Sequence, residues 1–242
     1  MAVAVVTGAS RGLGRALSLA LVERGWEVVV DGRDADALAQ LAEGRPRVHA
    51  VPGDVTDAWH RTALVTTAFD LGGLDLLVNN AGVLGGRGLA PVADLELDEL
   101  RRAFEVNVVA PLGLVQEALP LLRASGGAVL NISSDAAVEA YPQWGGYGAT
   151  KAALELWSAS LAAEEPKLPV WWVDPGEMNT AMYRAADAGA AEQSPLPEEG
   201  AVPGLLALLD VRRASGRYTA AGLAQEVGEA GATASAGAEA AR

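Results

Sequence analysis

The strongest constraint on the fold lies near the amino terminus. A short apolar run, Ala2 to Val6, stops at Thr7-Gly8-Ala9-Ser10-Arg11-Gly12-Leu13-Gly14, after which Leu13, Ala16, Leu17, Ala20 and Leu21 recur at helical intervals. The order is strand, glycine-rich turn, helix. Glycines in such a turn let the backbone approach a pyrophosphate, and the unpaired N–H groups at the start of the helix attract its charge. The spacing Gly-x-x-x-Gly-x-Gly is a variant of the commoner Gly-x-Gly-x-x-Gly pattern. Set between a strand and an amphipathic helix, it reads as a dinucleotide-binding turn.

The alternation continues along the chain. Trp26 to Val30, Arg47 to Val51, Leu74 to Val78, Ala128 to Ile132 and Pro169 to Val173 read as strands, and Arg217 to Ala220 as a closing edge strand. Helices are expected over Leu97 to Leu122, interrupted or kinked near Pro111, over Gly146 to about Glu164, and over Pro197 to Asp210. Leu154, Leu156, Trp157 and Leu161 give the second of these a broad apolar surface, suited to the core or to another subunit. The predicted fold is α/β: a single doubly wound Rossmann-type domain over residues 1–224, its parallel sheet flanked by helices on both faces. The glycine-rich loop Val83 to Pro91 is expected to be mobile. Residues 181–197, with weak periodicity, are either a substrate loop that acts as a lid or an irregular connection. Residues 225–242, rich in Ala, Gly and Glu, are expected to form a disordered tail.

Composition narrows the partners. A formal charge of −13 argues against nucleic acid or an anionic membrane surface. With no cysteine there is no disulfide or thiolate chemistry, and His49 and His60 are too scattered for a histidine-based metal cluster. The opening Met-Ala-Val-Ala-Val-Val lacks a basic segment and does not read as a signal peptide. No uninterrupted apolar run approaches the roughly 20 residues of a membrane span. The expected location is the cytoplasm.

The candidate catalytic stretch is Asn131 to Lys151. Tyr147 and Lys151 are four residues apart on a predicted helix and project from one face. A nearby ammonium favours phenolate, as a residue exchanging protons near neutral pH requires. Ser134 is placed to hydrogen-bond a substrate oxygen. Elsewhere, polar residues gather at strand ends. After the second strand come Asp31-Gly32-Arg33-Asp34, where a carboxylate accepts from a ribose 2′-OH and an arginine pairs with a 2′-phosphate. Asp54 is a candidate acceptor from an adenine amino group. Asn79 and Asn80 suit hydrogen bonding that holds strands in register, and Asn107, between Val106 and Val108, needs a buried partner or an ordered water.

Taken in order, the glycine turn, Asn80-Ala81-Gly82, Ser134, Tyr147-x-x-x-Lys151 and Pro175-Gly176 resemble the short-chain dehydrogenase/reductase family over roughly residues 2–220. The resemblance implies a catalytic tetrad of Asn107, Ser134, Tyr147 and Lys151. Ser134, thirteen residues before Tyr147, matches rather than Ser133. It implies cofactor contacts from Thr7, Gly8, Ser10, Arg11, Gly12, Leu13 and Gly14, from Arg33, and from Asp54 and Val55. Further contacts come from Asn80, Ala81 and Gly82, from Tyr147 and Lys151, and from Pro175, Gly176, Met178 and Thr180. Gly32 stands where an NAD-selecting carboxylate would sit, with Arg33 beside it and Arg11 in the turn, so NADP (NADPH) is favoured over NAD. Asp31 is left as a possible source of repulsion toward a phosphate.

The implied activity is hydride transfer between nicotinamide and a carbonyl or hydroxyl carbon of a small neutral substrate, in a homo-oligomer. Tyr147 would exchange the proton, Lys151 would lower its pKa and hold the ribose, and Asn107 would support a water linked to Lys151. Trp144, Asp135, Glu139, Glu177, Met178, Met182 and Tyr183 are candidate pocket residues. The alternative is an NADP-binding regulator that transfers no hydride. Two departures stand out: Asp135-Ala136-Ala137 after the serine, and Tyr218-Thr219-Ala220-Ala221-Gly222 where many members have a strand ending in Asp-Gly-Gly.

Overall fold

Each expected strand forms within two residues of its expected bounds. The computed structural model describes residues 1–85 and 89–226. Among these, β1 (Val3–Val6), β2 (Glu27–Gly32), β3 (Val48–Pro52), β4 (Leu76–Asn79), β5 (Ala128–Ile132), β6 (Val170–Asp174) and β7 (Gly216–Thr219) form a seven-stranded sheet in the order 3-2-1-4-5-6-7. Every pairing is parallel. Strand order reverses between β1 and β4. The crevice beyond the carboxyl ends of the strands at this switch is the place where a doubly wound sheet binds ligands.

The near-continuous Val, Leu and Ala content of the strands follows from burial on both faces. Ala4, Val6, Val28 and Val30 face a core with Leu13, Leu17 and Leu21 of α1 (Gly12–Glu23) and Leu38 and Leu41 of α2 (Ala35–Ala42). The alternate residues Val3, Val5 and Val29 face a second core with Leu64 of α3 (Ala58–Asp70) and with Leu114 and Leu122. The period of two along each strand thus puts helices on both faces of the sheet.

One long rod is built differently from the expectation. It comprises α4 (Leu97–Phe104), a π-helical turn (Glu105–Val109) and α5 (Ala110–Ser125). The interruption lies one turn before Pro111. Proline lacks the N–H that would bond the carbonyl four residues back, which is that of Asn107, and its ring crowds that carbonyl. The strain is absorbed by the wider turn, where the Ala110 N–H reaches back to Glu105 O. By length and composition the rod Leu97–Ser125 is apolar enough to cross a membrane. Its apolar residues Leu114, Val115, Ala118 and Leu122 are buried in the second core.

Helix α6 (Gly145–Glu164) forms as expected, with Leu154 and Leu161 buried and Leu156 exposed. Residues 181–197 are more regular than expected. They form α7 (Ala181–Ala186) and α8 (Ala188–Gln193), because the Thr180 and Asp187 side chains cap the N–H groups of Tyr183 and Ala190. The expected helix Pro197 to Asp210 is divided into α9 (Pro197–Gly200) and α10 (Val202–Val211). Residues 86–88 of the loop expected to be mobile, and the expected tail beyond Glu226, lie outside the described residues.

Candidate active site

The glycine turn is held from two sides. On one, the Thr7 N–H donates to Val78 O at 3.0 Å, and the N–H groups of Asn80 and Ala81 donate to Thr7 Oγ1, each at 3.0 Å. Asn80 Nδ2 donates to the carbonyls of Thr7 and Gly8 at 2.7 and 3.2 Å. These contacts need glycine. A Cβ on Gly14 would lie 2.5 Å from Asn80 Nδ2, and one on Gly8, where φ is +66°, would lie 2.8 Å from Ala81 Cα. On the other side the Gly8 N–H donates to Asp31 Oδ1 at 2.6 Å, and Asp31 Oδ2 pairs with His60 Nε2 at 3.1 Å. Asp31 is 1% exposed and turned inward. Its two oxygens are thus taken up by the Gly8 N–H and the His60 ring.

Helix α1 starts without a side-chain cap and with no acidic residue in its first turn. Its first N–H groups suit an anion. The Leu13 side chain packs in the core, so Leu13 offers the site only its backbone. Ser10 lies against Gly32, and a Cβ on Gly12 would lie 3.5 Å from Thr180 Cγ2, so the turn and the segment after β6 face each other. In that segment Gly176 adopts φ +75° and its N–H donates to Asp174 Oδ1 at 2.9 Å, while Met178 packs on the first core.

Arg11 and Arg33 are exposed. Val55 is buried, and Asp54 Oδ1 accepts from the Thr56 N–H at 3.0 Å and its hydroxyl at 2.8 Å. Burial pushes the Asp54 carboxyl up, but the Thr56 hydrogen bonds and nearby Arg33 and Arg102 bring it below its usual value. A cavity of about 450 Å³ beside it is lined by Asp54, Thr56, Arg101, Arg102, Glu105 and Val106. A larger groove of about 690 Å³, between α1 and α10, contains none of the candidate site residues.

All four tetrad candidates meet near the carboxyl ends of β4 and β5. Asn107, 1% exposed, accepts from the Val83 N–H at 2.9 Å, and its Nδ2 donates to Val83 O at 2.8 Å and to Thr150 Oγ1 at 2.9 Å. The Thr150 hydroxyl donates to Tyr147 O at 2.7 Å. The side-chain amide therefore fixes a loop and α6 together, and its partners are protein groups. Asn107 Oδ1 and Lys151 Nζ border the same glycine, at 3.4 and 3.8 Å from a Cβ placed on Gly82. Lys151 is buried, its Nζ donates to Ile132 O at 2.8 Å, and it lies 5.6 Å from the Tyr147 ring centroid. Burial brings its pKa down to about 8, opposed by Glu155.

Tyr147 is buried beside Trp144, whose ring meets it edge-on at 5.8 Å. Its phenol is raised above its ordinary value by burial; Ser134 lowers it, and Asp135 and Asp174 add to the rise. The expected depression by Lys151 is not found: the groups that shift the phenol are its apolar surroundings, Ser134 and the two carboxylates. Ser134 Oγ donates to Asp135 Oδ1 at 2.9 Å, and Tyr141 OH lies 2.9 Å from Asp135 Oδ2 and 2.8 Å from Glu139 Oε2. Tyr183 OH donates to Glu177 Oε1 at 2.6 Å.

Several residues that build the site escape a motif search. Thr150 and His60 are among them. So are Glu155 and Arg217: Ser133 Oγ donates to Glu155 Oε1 at 2.6 Å, Arg217 Nε donates to the same carboxylate at 3.0 Å, and Arg217 Nη2 donates to Ser134 O at 3.2 Å. Asn79 Nδ2 donates to Asn131 Oδ1 at 2.8 Å and Asn131 Nδ2 to Ser158 Oγ at 2.7 Å, tying β4, β5 and α6 into one layer. The signal available for these was a polar residue inside an apolar element.

Comparison with known proteins agrees with the fold. The family model described as short chain dehydrogenase matches residues 2–191. An oxidoreductase of Schizosaccharomyces pombe, itself uncharacterised, is 34% identical over 182 residues, 74% of this chain and 72% of its own length. Among solved structures, a short-chain dehydrogenase from Streptomyces avermitilis is 30% identical with a TM-score of 0.80, covering 99% of this chain and 96% of that one. An alcohol dehydrogenase from the archaeon Thermococcus sibiricus, complexed with 5-hydroxy-NADP, is 26% identical with a TM-score of 0.81, covering 90% and 95%. The chain is an oxidoreductase-fold protein that belongs to the short chain dehydrogenase family.

Proposed function

We propose that this chain moves a hydride between NADP(H) and the carbonyl or carbinol carbon of a small neutral substrate, with Tyr147 giving or taking the proton. The observation that carries this reading is the meeting of Ser134, Tyr147 and Lys151 beside a glycine turn with free helix N–H groups.

The residues fit the cofactor. Gly8 and Gly14 allow Ala81 and Asn80 to close on the turn and shape it, and the start of α1 supplies donors for a pyrophosphate. Lys151 would hold ribose hydroxyls, and Asp54 and Val55 would border the adenine. Support for NADP over NAD comes from the inward turn of Asp31, which is taken up by Gly8 and His60, and from exposed Arg33 near Asp54. The Thermococcus sibiricus relative was solved with an NADP derivative. When bound, the nicotinamide supplies the hydride acceptor or donor, and its positive oxidised ring favours phenolate at Tyr147.

The protein's own part is positioning and proton handling. Tyr147 is the buried acid or base, and Lys151 is the cation behind it. Pro111 leaves the Asn107 carbonyl without its helical donor, which suits a water on the path from Lys151 to solvent. Trp144, Tyr183 and Met182 offer apolar surface, and Asp135, Glu139 and Glu177 disfavour an anionic substrate. The exposed Leu156 on α6 supports a homo-oligomer, to be measured by light scattering. The test of function is a panel of aldehydes and ketones followed by NADPH absorbance and repeated with NADH. Turnover with NADPH ahead of NADH is expected. Cofactor binding with no hydride transfer to any carbonyl would favour a sensor instead.

A further inference from the structure

We infer that Arg217 is a positioning residue for Ser134: from the closing strand β7 it grips the serine's backbone carbonyl and holds the chain from which the hydroxyl projects. Its value to catalysis rests on the proposed reaction, in which Ser134 orients the substrate oxygen.

The register of the sheet brings the two residues together. Arg217 on β7 lies opposite Trp172 on β6, and Trp172 lies opposite Asn131 on β5. Side chains paired at one level of a sheet share a face, and this face is the one covered by α6. Asn131 Nδ2 donates to Ser158 Oγ, and Trp172 packs on the second core with Leu161. Ser133, two residues beyond Asn131, emerges on the same side. Arg217 and Ser133 therefore meet at Glu155 of α6. Arg217 Nε donates to Glu155 Oε1 and Oε2 at 3.0 and 3.2 Å, and Ser133 Oγ donates to Oε1 at 2.6 Å. A guanidinium has further donors in the same rigid plane, and here Nη2 donates to Ser134 O at 3.2 Å. The Arg217 and Glu155 side chains are 28% and 11% exposed, so the pair acts largely out of water.

What Arg217 grips is the cap of a short helical turn, Asp135–Ala137. Ser134 Oγ accepts from the Ala136 N–H at 3.2 Å, and Ser134 O accepts from the Ala137 N–H at 3.2 Å. A carbonyl has two lone pairs, and Arg217 takes up the second. Just ahead, Lys151 Nζ donates to Ile132 O at 2.8 Å and the Ser133 N–H donates to Val173 O at 2.7 Å. The chain leaving β5 is thus held at three successive residues. The last hold, on Ser134, comes from the strand whose sequence departs from the family pattern directly after Arg217.

The test is amide hydrogen exchange by NMR on the full chain, comparing E155Q with E155Q/R217M. R217M alone would leave a buried carboxylate unpaired; glutamine at 155 removes that charge and keeps an oxygen for Ser133 and Arg217. Exchange of the Ala136 and Ala137 N–H groups is expected to rise about tenfold from E155Q to E155Q/R217M, the effect of losing one charge-assisted bond. The Val129 N–H, bonded to Pro169 O in the sheet, should change little. Unchanged exchange at Ala136 and Ala137 would overturn the inference. So would a rise shared equally by Val129, which marks general loosening. With NADPH and the best carbonyl substrate, kcat should fall by about tenfold between the same two variants at unchanged NADPH affinity, and that loss should vanish when Ser134 is alanine. A loss that persists in the S134A background would also overturn it. A chain that reduces no carbonyl counts against the proposed reaction, and the exchange result still decides whether Arg217 holds Ser134.

Discussion

The Gly8 N–H donates to Asp31 Oδ1 across 2.6 Å, joining the glycine turn to the end of β2 through a carboxylate that is 1% exposed. His60 holds the other oxygen at 3.1 Å. The acidic residue at this strand end thus shapes the turn from within. Asp31→Ala leaves a half-buried N–H and a buried imidazole without this partner, a cost of about 1–3 kcal/mol. For a chain of this size that lowers Tm by about 2–4 °C per kcal/mol, read by thermal denaturation. NADPH affinity falls with it. A variant as stable as the parent would show that the turn does not depend on this carboxylate.

Tyr147→Phe keeps the ring against Trp144 and removes the proton. Turnover on the best carbonyl substrate is expected to drop by at least about 100-fold. NADPH affinity, followed by tryptophan fluorescence, stays nearly unchanged. Comparable turnover in the variant would remove Tyr147 from the reaction.

Arg33→Ala tests the cofactor choice. Loss of a charge-assisted contact to a 2′-phosphate weakens NADPH by about tenfold or more. NADH, which lacks that phosphate, changes little. Titration calorimetry with both cofactors gives the ratio, and equal losses would leave NADP without its main support.

Lys151 makes stability depend on pH. Its folded-state pKa is held down at about 8 from an ordinary 10.5 by burial. Between these values the unfolded chain binds a proton that the folded chain has released, so this residue makes stability rise with pH, by at most about 1.4 kcal/mol per unit. Tyr147 acts oppositely above its ordinary value of 10.0, because burial keeps the phenol protonated only in the folded state. The clean window is therefore pH 8 to 10. In urea unfolding, the stability of wild type minus that of Lys151→Met should climb across it; a flat difference would mean the ammonium is not desolvated.

How much of this was legible beforehand depended on the range of the interaction. The strands were readable because both-face burial forces long Val and Leu runs, and the tetrad candidates because their spacing is local to one helix or one strand end. The interruption near Pro111 is legible but its form is not: because a proline acts on the carbonyl four residues behind it, the break takes the shape of a π-helical turn at Glu105–Val109. The helical character of residues 181–193 is not legible in the periodicity, because the order of α7 and α8 comes from Thr180 and Asp187 as caps. The role of Asp31 depends on partners brought together by folding, since it meets Gly8 and His60 from distant elements.

The π-helical turn has a consequence for how this chain can change length. One residue more than a regular turn separates α4 from α5, so the faces of the two helices are offset by about 100° from those of an unbroken helix. A one-residue deletion within Glu105–Val109 would restore a smooth helix and, in doing so, rotate Asn107 away from Val83 and Thr150 or swing Leu114 and Leu122 out of the sheet-facing core. Evolution or design can therefore lengthen the surface loops freely, whereas the residue count between Asn107 and Leu114 behaves as a fixed gear ratio between the chemistry and the core.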